Sequence, residues 1–304
     1  MNGAPFALKA TVCAICGCSA HDRELYSANF KSQDLAPEIF SARRMPDSVH
    51  YRIVECRQCG LIRSNPVLDE DVIAGLYASS HFTYPLEAAY AARTYGTYFK
   101  RYAGDVSKDG SILEIGCGNG TFLQWLMDQG YSSVRGIEPS QEAVAAAGTR
   151  KPLIHNGFFS RGIYPPASFD CLCAFQVFDH MYQPDEFLEQ AKHYLKKGGK
   201  LFMVMHNIGA LPARVLGRAC PMIDIEHPFL YNKKTLKKIM ERHGFKDMRL
   251  FSVSNRYPLK YWLALMPLSL GLKKKAMDFL TNHPIGTMPV TLGLGNMGIV
   301  ASMQ

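Results

Sequence analysis

Two cysteine pairs with CxxCG spacing, Cys13-Ala-Ile-Cys16-Gly17 and Cys56-Arg-Gln-Cys59-Gly60, are the first residues whose type and spacing could do chemistry. Two thiolates three positions apart on a tight turn can grip one tetrahedral ion, and the glycine permits the positive φ that turns backbone N–H groups toward the sulfurs. Two such knuckles supply four thiolates, the closed donor set of a structural zinc site. That set leaves no position for water, so the metal expected here is not catalytic. The 39 residues between the knuckles exceed a compact finger and must form a hairpin or loop. Cys18 and His21 are close enough in sequence to substitute as ligands and rank lower.

A second constellation is Glu114-Ile-Gly116-Cys-Gly118-Asn-Gly120, a glycine loop between a buried strand and a helix. That is the context a nucleotide-binding loop requires. Its spacing is GxGxG, not the GxGxxG of the dinucleotide fingerprint, which disfavours a nicotinamide oxidoreductase. Glu138 ends the next strand, 18 positions beyond Gly120. A carboxylate there can accept from both ribose hydroxyls at once.

The elements that must position these groups fall into three stretches. Residues 1–66 read as short strands and turns, a small zinc-binding domain. Residues 67–104 read as connecting helices, one opened by Asp69-Glu70-Asp71 and one spanning Leu86–Ala103. From 105 to 304 strands and helices alternate, which means parallel strands with helical crossovers. The expected strands are Ile112–Ile115, Val134–Ile137, Leu153-Ile154, Phe169–Phe175, Lys200–Met205, Phe245–Ser254 and Gly295–Ser302. Two irregular insertions, about 207–232 and 255–290, are placed to cover a substrate.

Ile112–Gly120 (ILEIGCGNG), Gly136–Pro139 (GIEP), Phe169–His180 (FDCLCAFQVFDH) and Leu195–Phe202 (LKKGGKLF) resemble, in order and spacing, the class I S-adenosylmethionine-dependent methyltransferases. The stretch YRIVECRQCGLIRSNP resembles the zinc-binding domain that precedes this fold in bacterial enzymes of sugar, polysaccharide and secondary-metabolite pathways. The resemblance implies an α/β fold: a Rossmann-like, doubly wound, seven-stranded and mostly parallel sheet behind a small zinc-ribbon-like domain. It implies S-adenosyl-L-methionine as cofactor beside a structural Zn2+. The Gly116, Gly118 and Gly120 backbone would pass the methionine part and Glu114 would anchor the loop and the ammonium. Glu138 would hold the ribose, and Pro139 and Ser140 would border the adenine. Asn156, Gly157 and Phe158 fall where the family often has an Asp and a neighbour on the adenine; Asn156 departs from that pattern. Gln176 would line the sulfonium region.

A sulfonium is already a strong methyl donor, so the protein must align the acceptor and exclude water. A hydroxyl acceptor also needs a general base. His180 is the first candidate, because it follows the fourth strand beside Asp179, which could orient its ring. His206, after the fifth strand, and His227, in Ile225-Glu226-His227-Pro228, are the others. Tyr77, Phe82 and Tyr84 form an aromatic group before the core, expected to pack between domains.

The composition bounds the function. With 304 residues, 47% apolar and 20% charged, the chain is an ordinary globular mixture, which excludes a largely disordered or fibrous protein. Nine cysteines, an odd count with five in the first sixty residues, point to a metal site in a reducing cytoplasm rather than a disulfide framework. MNGAPFALKATVC has no signal-peptide pattern, and a soluble cytoplasmic protein is expected. The net charge of +8 is spread out and is weak evidence for nucleic acid. The expected acceptor is therefore a small molecule, a hydroxyl of a sugar, glycan or lipid-linked precursor, with a sugar nucleotide among the carriers. An RNA base methyltransferase is the alternative, though Phe175-Gln176-Val177 is not the acid-Pro-Pro-aromatic box used for exocyclic amines. A non-catalytic cofactor-binding module is the third reading. Residues 257–280, with Trp262 and Lys273-Lys274-Lys275, are expected to form a substrate lid, and peripheral membrane contact through them is the competing reading.

Overall fold

Leu201–Met205 is apolar at every position because the strand it forms is covered on both faces. Leu201, Met203 and Met205 join one side of the core, while Phe202 and Val204 join the other. The computed structural model describes residues 7–30, 49–78, 85–266 and 268–303.

In chain order the elements are β1 (Leu8–Lys9), β2 (Asp22–Tyr26), β3 (Ile53–Cys56), β4 (Ile62–Ser64), β5 (Val67–Leu68), α1 (Glu70–Ala78) and α2 (Pro85–Tyr102). Then come β6 (Ser111–Ile115), α3 (Thr121–Asp128), β7 (Ser133–Glu138), α4 (Gln141–Ala145), β8 (Ile154–Asn156), β9 (Phe169–Phe175), α5 (Pro184–Tyr194) and β10 (Leu195–His206). The chain closes with α6 (Leu211–Leu216), β11 (Phe229–Leu230), α7 (Lys233–Arg242), β12 (Lys246–Pro258), α8 (Leu259–Leu265), α9 (Leu270–Asn282) and β13 (Pro289–Ser302).

Seven strands form the central sheet in the order β12-β13-β10-β9-β6-β7-β8. β6 to β10 pair in parallel, and β13 runs against both of its neighbours. This is the Rossmann-like, mostly parallel sheet that the alternation of strands and helices led us to expect. The last hairpin is longer than expected: β12 continues through Pro258 and β13 begins at Pro289. Residues 255–258 and 289–290 therefore belong to the sheet, and α8, α9 and a 3-10 turn at Pro284–Thr287 project from it. Helix α2 lies across this hairpin, where Ser254 N donates to Tyr98 Oη at 2.9 Å. Phe82 and Tyr84, and the side chain of Tyr77, lie outside the described residues.

The N-terminal sheet is antiparallel in the order β11-β4-β3-β2. Its edge strand β11 comes from the 207–232 insertion, with Phe229 opposite Arg63 and Leu230 opposite Ile62. Arg63 is fully buried and grips Asp22 through two nitrogens, at 2.9 and 2.7 Å, which ties β4 to β2. Cys13, Cys56, Cys59 and Leu61 pack into the same apolar cluster as Phe229, Tyr231, Leu236 and Met240. Lys238 of α7 donates to the Cys59 carbonyl at 2.9 Å. The N-terminal sheet is thus fastened to the face of the central sheet that carries α5 and α7.

Candidate active site and thiolate cluster

The parallel strands end at one edge, and the polar side chains singled out in the sequence collect there. Glu138, Gln176, His180, His206 and His227 border a cavity of about 870 Å3. Glu114 and Gly116 come from the end of β6, Glu138 and Pro139 from the end of β7, Gln176 from β9 and His206 from β10. Gly116 has φ +68°, and a Cβ there would lie 2.5 Å from a Val177 methyl, so only glycine fits between the loop and the turn after β9. Gly118 and Gly120 also adopt positive φ, and Gly120 precedes the first turn of α3.

Glu138 is buried, and its two oxygens are used separately. Oε2 accepts from Gly118 N at 2.7 Å and Oε1 accepts from Ser140 N at 2.8 Å. Each oxygen keeps lone-pair capacity for a further donor such as a ribose hydroxyl. Burial raises the Glu138 carboxyl above its usual range, while the N–H groups of Ser140 and Gly118 oppose that rise. Glu114 is wholly enclosed. Burial, and then the charge of Glu138, push its carboxyl well above the usual carboxylate range. Its Oε2 has no hydrogen-bond partner among the described residues. A buried orphan oxygen beside a glycine loop suits a cationic ligand such as the ammonium of S-adenosylmethionine.

Gln176 adopts φ +56°, one of three non-glycine residues in the described chain with positive φ. Its backbone N–H is held by the Val204 carbonyl at 2.7 Å, and its Oε1 is buried without a hydrogen-bond partner among the described residues. A strained residue bordering a cavity is a common mark of a functional position. Asn156 sits opposite Glu138 in the β7–β8 pairing, with Gly157 next to it. Asn156 Nδ2 donates to the carbonyls of Glu138 and Pro139 at 2.9 and 3.2 Å, and Gly157 N donates to Glu138 O at 3.0 Å. They brace the end of β7, and of the three residues only Phe158 borders the cavity.

His180, His206 and His227 come together at the cavity wall. The ring of His227 lies 4.5 Å from that of His180 and 4.8 Å from that of His206, centroid to centroid. Asp179 holds His206 rather than its sequence neighbour. Its Oδ2 accepts from His206 Nδ1 at 2.8 Å and from the His206 backbone N–H at 3.1 Å. Burial pushes the Asp179 carboxyl up, but the His206 hydrogen bond and charge, with His180 and His227 behind them, outweigh burial and hold it well below the usual range. His227 is buried. Burial, then His180 and His206, drive its pKa well below the usual histidine value against Asp179 and the Met222 carbonyl. At neutral pH, Asp179 is therefore ionised and His227 neutral. One donor atom each from Asp179, His206 and His227 lie within 4.8 Å of one another, a spacing that could also bind a divalent cation.

The far wall of the cavity lies within the 255–290 stretch that the sequence placed over a substrate, although of its residues only Trp262 was named there. Asn255, Tyr257, Tyr261 and Trp262 come from the unexpected end of β12 and from α8. The aromatic density of 257–262 was the available signal.

The four knuckle cysteines converge. Their Sγ atoms all lie within 4.8 Å of one another, with Cys13–Cys59 at 3.2 Å and Cys16–Cys56 at 3.6 Å. Zinc–sulfur bonds of about 2.3 Å imply a tetrahedral edge of about 3.8 Å, so the cluster is of the right size for one ion. Gly17 and Gly60 take φ +70° and +81° and give the tight turns expected of knuckles. Cys18 and His21 lie outside the cluster and contribute backbone carbonyls to Cys13 N and Arg57 N.

Comparisons with known proteins bear on the family and the fold. Proteins named tRNA U34 carboxymethyltransferase are 27% identical over 162 residues in Alteromonas mediterranea, covering 49% of this chain and 48% of that protein. In Pasteurella multocida a protein of the same name is 26% identical over 186 residues, covering 59% and 54%. The chain thus spans about half the length of the curated relatives it matches. The YcgJ protein of Bacillus subtilis superposes with a TM-score of 0.50 at 14% identity, over 70% of this chain and 98% of that one, a likeness of fold alone. The family profile described as a methyltransferase domain matches residues 88–250, more than half of the chain. The chain belongs to this methyltransferase-domain family.

Proposed function

We propose that this protein transfers a methyl group from S-adenosylmethionine to a small acceptor bearing an acidic proton, such as a hydroxyl, held in the cavity beside the histidines. When bound, the cofactor supplies the electrophilic methyl group. Glu114, the Gly116–Gly120 backbone, Glu138 and Gln176 would hold it. The observation that carries the acceptor reading is the Asp179–His206 pair, with its 2.8 Å hydrogen bond at the cavity wall. Ionised Asp179 keeps the ring proton on Nδ1 and leaves Nε2 to take a proton from the acceptor. It also stabilises the imidazolium that forms. Neutral His227 is a poor terminal base at its depressed pKa but can accept a hydrogen bond and orient the acceptor. His180 packs against it. The four thiolates would hold a structural Zn2+ that fixes the β3–β4 hairpin, and β4 in turn pairs with the strand directly after His227.

The names of the curated relatives favour a second reading, in which the acceptor is a tRNA base. Incubation with S-adenosylmethionine labelled in its methyl group, and in parallel with its carboxymethyl-sulfonium analogue carrying the same label, and either total tRNA or a small-molecule extract separates the two. Label in the extract supports the proposal. Label in tRNA assigns the RNA reading, and label in neither, with cofactor bound, would sink both.

A further inference from the structure

Twelve large apolar side chains are exposed among the described residues, and eight of them fall between 211 and 294. On α6, Leu211 and Val215 stand one turn apart and are 73% and 74% exposed. On α9, Leu272 and Phe279, seven positions apart, share a face with Lys275 and are also exposed. Ile285 and Met288 follow on and after the 3-10 turn, and Leu294 lies at the start of the sheet hairpin.

α6, α8 and β13 border the cavity, and α9 with its following turn packs against α8. Asn207 N bonds Gly295 O at 2.7 Å, which sets the approach to α6 against β13. Leu259 N bonds Met288 O at 2.9 Å, which sets α8 against the 3-10 turn. Pro212, Leu216, Met266 and Leu294 border the cavity itself. Charge on the same segments is one-sided: residues 207–222 and 255–296 carry seven Lys and Arg and a single acid, Asp278. Among the described residues no helix is long and apolar enough to cross a membrane.

We propose that this face, α6 with α9 and its following turn, rests on an anionic lipid surface, so that the cavity opens at headgroup level. Exposed apolar side chains interleaved with lysines are what an interfacial helix presents, with the apolar groups inserted and the cations on the phosphates. RNA would match the charge but leaves the Leu, Val and Phe side chains without a partner. Docking stands whether or not the proposed acceptor chemistry is right. Where both hold, the acceptor is amphiphilic and reaches the histidines from the bilayer.

The test is sedimentation of the full chain with vesicles of phosphatidylcholine, alone or mixed with phosphatidylglycerol. Binding should require the anionic lipid and weaken with salt. Neutralising Lys273, Lys274 and Lys275 to Gln should weaken it by about fivefold per lysine. Leu272→Ser with Phe279→Ser, and separately Leu211→Ser with Val215→Ser, should weaken it at least about tenfold per pair. Two pairs on separate helices guard against one that misfolds, and unchanged cofactor affinity checks the fold. No binding to anionic vesicles, or binding insensitive to both apolar pairs, overturns the proposal. So does a dimer that the apolar substitutions dissociate, or tRNA binding that they abolish.

Discussion

Replacing Glu138 by Gln separates a cofactor-binding role from a structural one. In the wild type each carboxylate oxygen takes one backbone N–H, from Gly118 at 2.7 Å and Ser140 at 2.8 Å. The amide introduced by Glu138→Gln would keep one acceptor and set an NH2 group against the other donor. A lost charge-assisted bond is worth about 1.5–3 kcal/mol, and one to a ribose hydroxyl adds a comparable amount. In the cofactor-free protein a second effect opposes the first. Burial raises the Glu138 pKa, so protonated Glu138 favours the fold below the unfolded-state pKa, and that advantage is lost as pH rises through the folded value. At neutral pH the ionised group therefore costs stability, and a neutral amide removes that cost. The second effect offsets part of the first, so Tm should fall by less than the lost bond alone would give, about 3–12 °C. Cofactor affinity has no such compensation and should fall by about 10- to 150-fold. Calorimetric titration with S-adenosylmethionine and a thermal melt on the same samples read both quantities. Unchanged affinity would refute the ribose assignment, and a large loss of Tm with normal affinity would make Glu138 a structural residue only.

His206→Ala should lower kcat by about 10²–10⁴ with little change in cofactor affinity, and a larger loss in His180→Ala would return the base to His180. Burial and the Glu138 charge hold Glu114 well above the carboxylate range, so part of it is protonated before a cation binds. Cofactor binding should therefore release protons and tighten as pH rises, seen by calorimetry in two buffers of different ionisation enthalpy, and Glu114→Gln should abolish the release. Purified protein should carry one zinc per chain by metal analysis, sharply reduced in Cys56→Ser. In that variant amide exchange should quicken at 229–231, where β11 pairs with β4, and stay slow in β6; uniform exchange would disconnect the hairpin from the cavity.

What the sequence disclosed was local or periodic. CxxCG turns depend on neighbours within five residues, so both knuckles could be read directly. The buried stretches Cys171–Phe175 of β9 and Leu201–Met205 of β10 advertise themselves as unbroken apolar runs. The glycine loop and Glu138 were legible because strand, turn and helix follow one another without interruption. Contacts between distant segments were not legible. Adjacency suggested that Asp179 orients His180, but neighbours on a 3-10 turn point in different directions, and the carboxylate instead reaches His206, 27 positions on. Pairing of β11 with β4 joins residues more than 160 apart and carries no local pattern. The end of β12 was hidden because Asn255, Arg256 and Pro258 read as loop, whereas the partner strand β13 supplies the pairing. Asn156 was placed by family pattern, and its amide is taken up by two backbone carbonyls.

If the edge of the sheet from Glu114 to Gln176 is a working S-adenosylmethionine site, equilibrium binding to the purified full chain will reveal it. Saturable binding of one cofactor per chain is expected, weakened at least about tenfold by Glu138→Gln. Absence of saturable binding to folded wild-type protein would contradict that assignment.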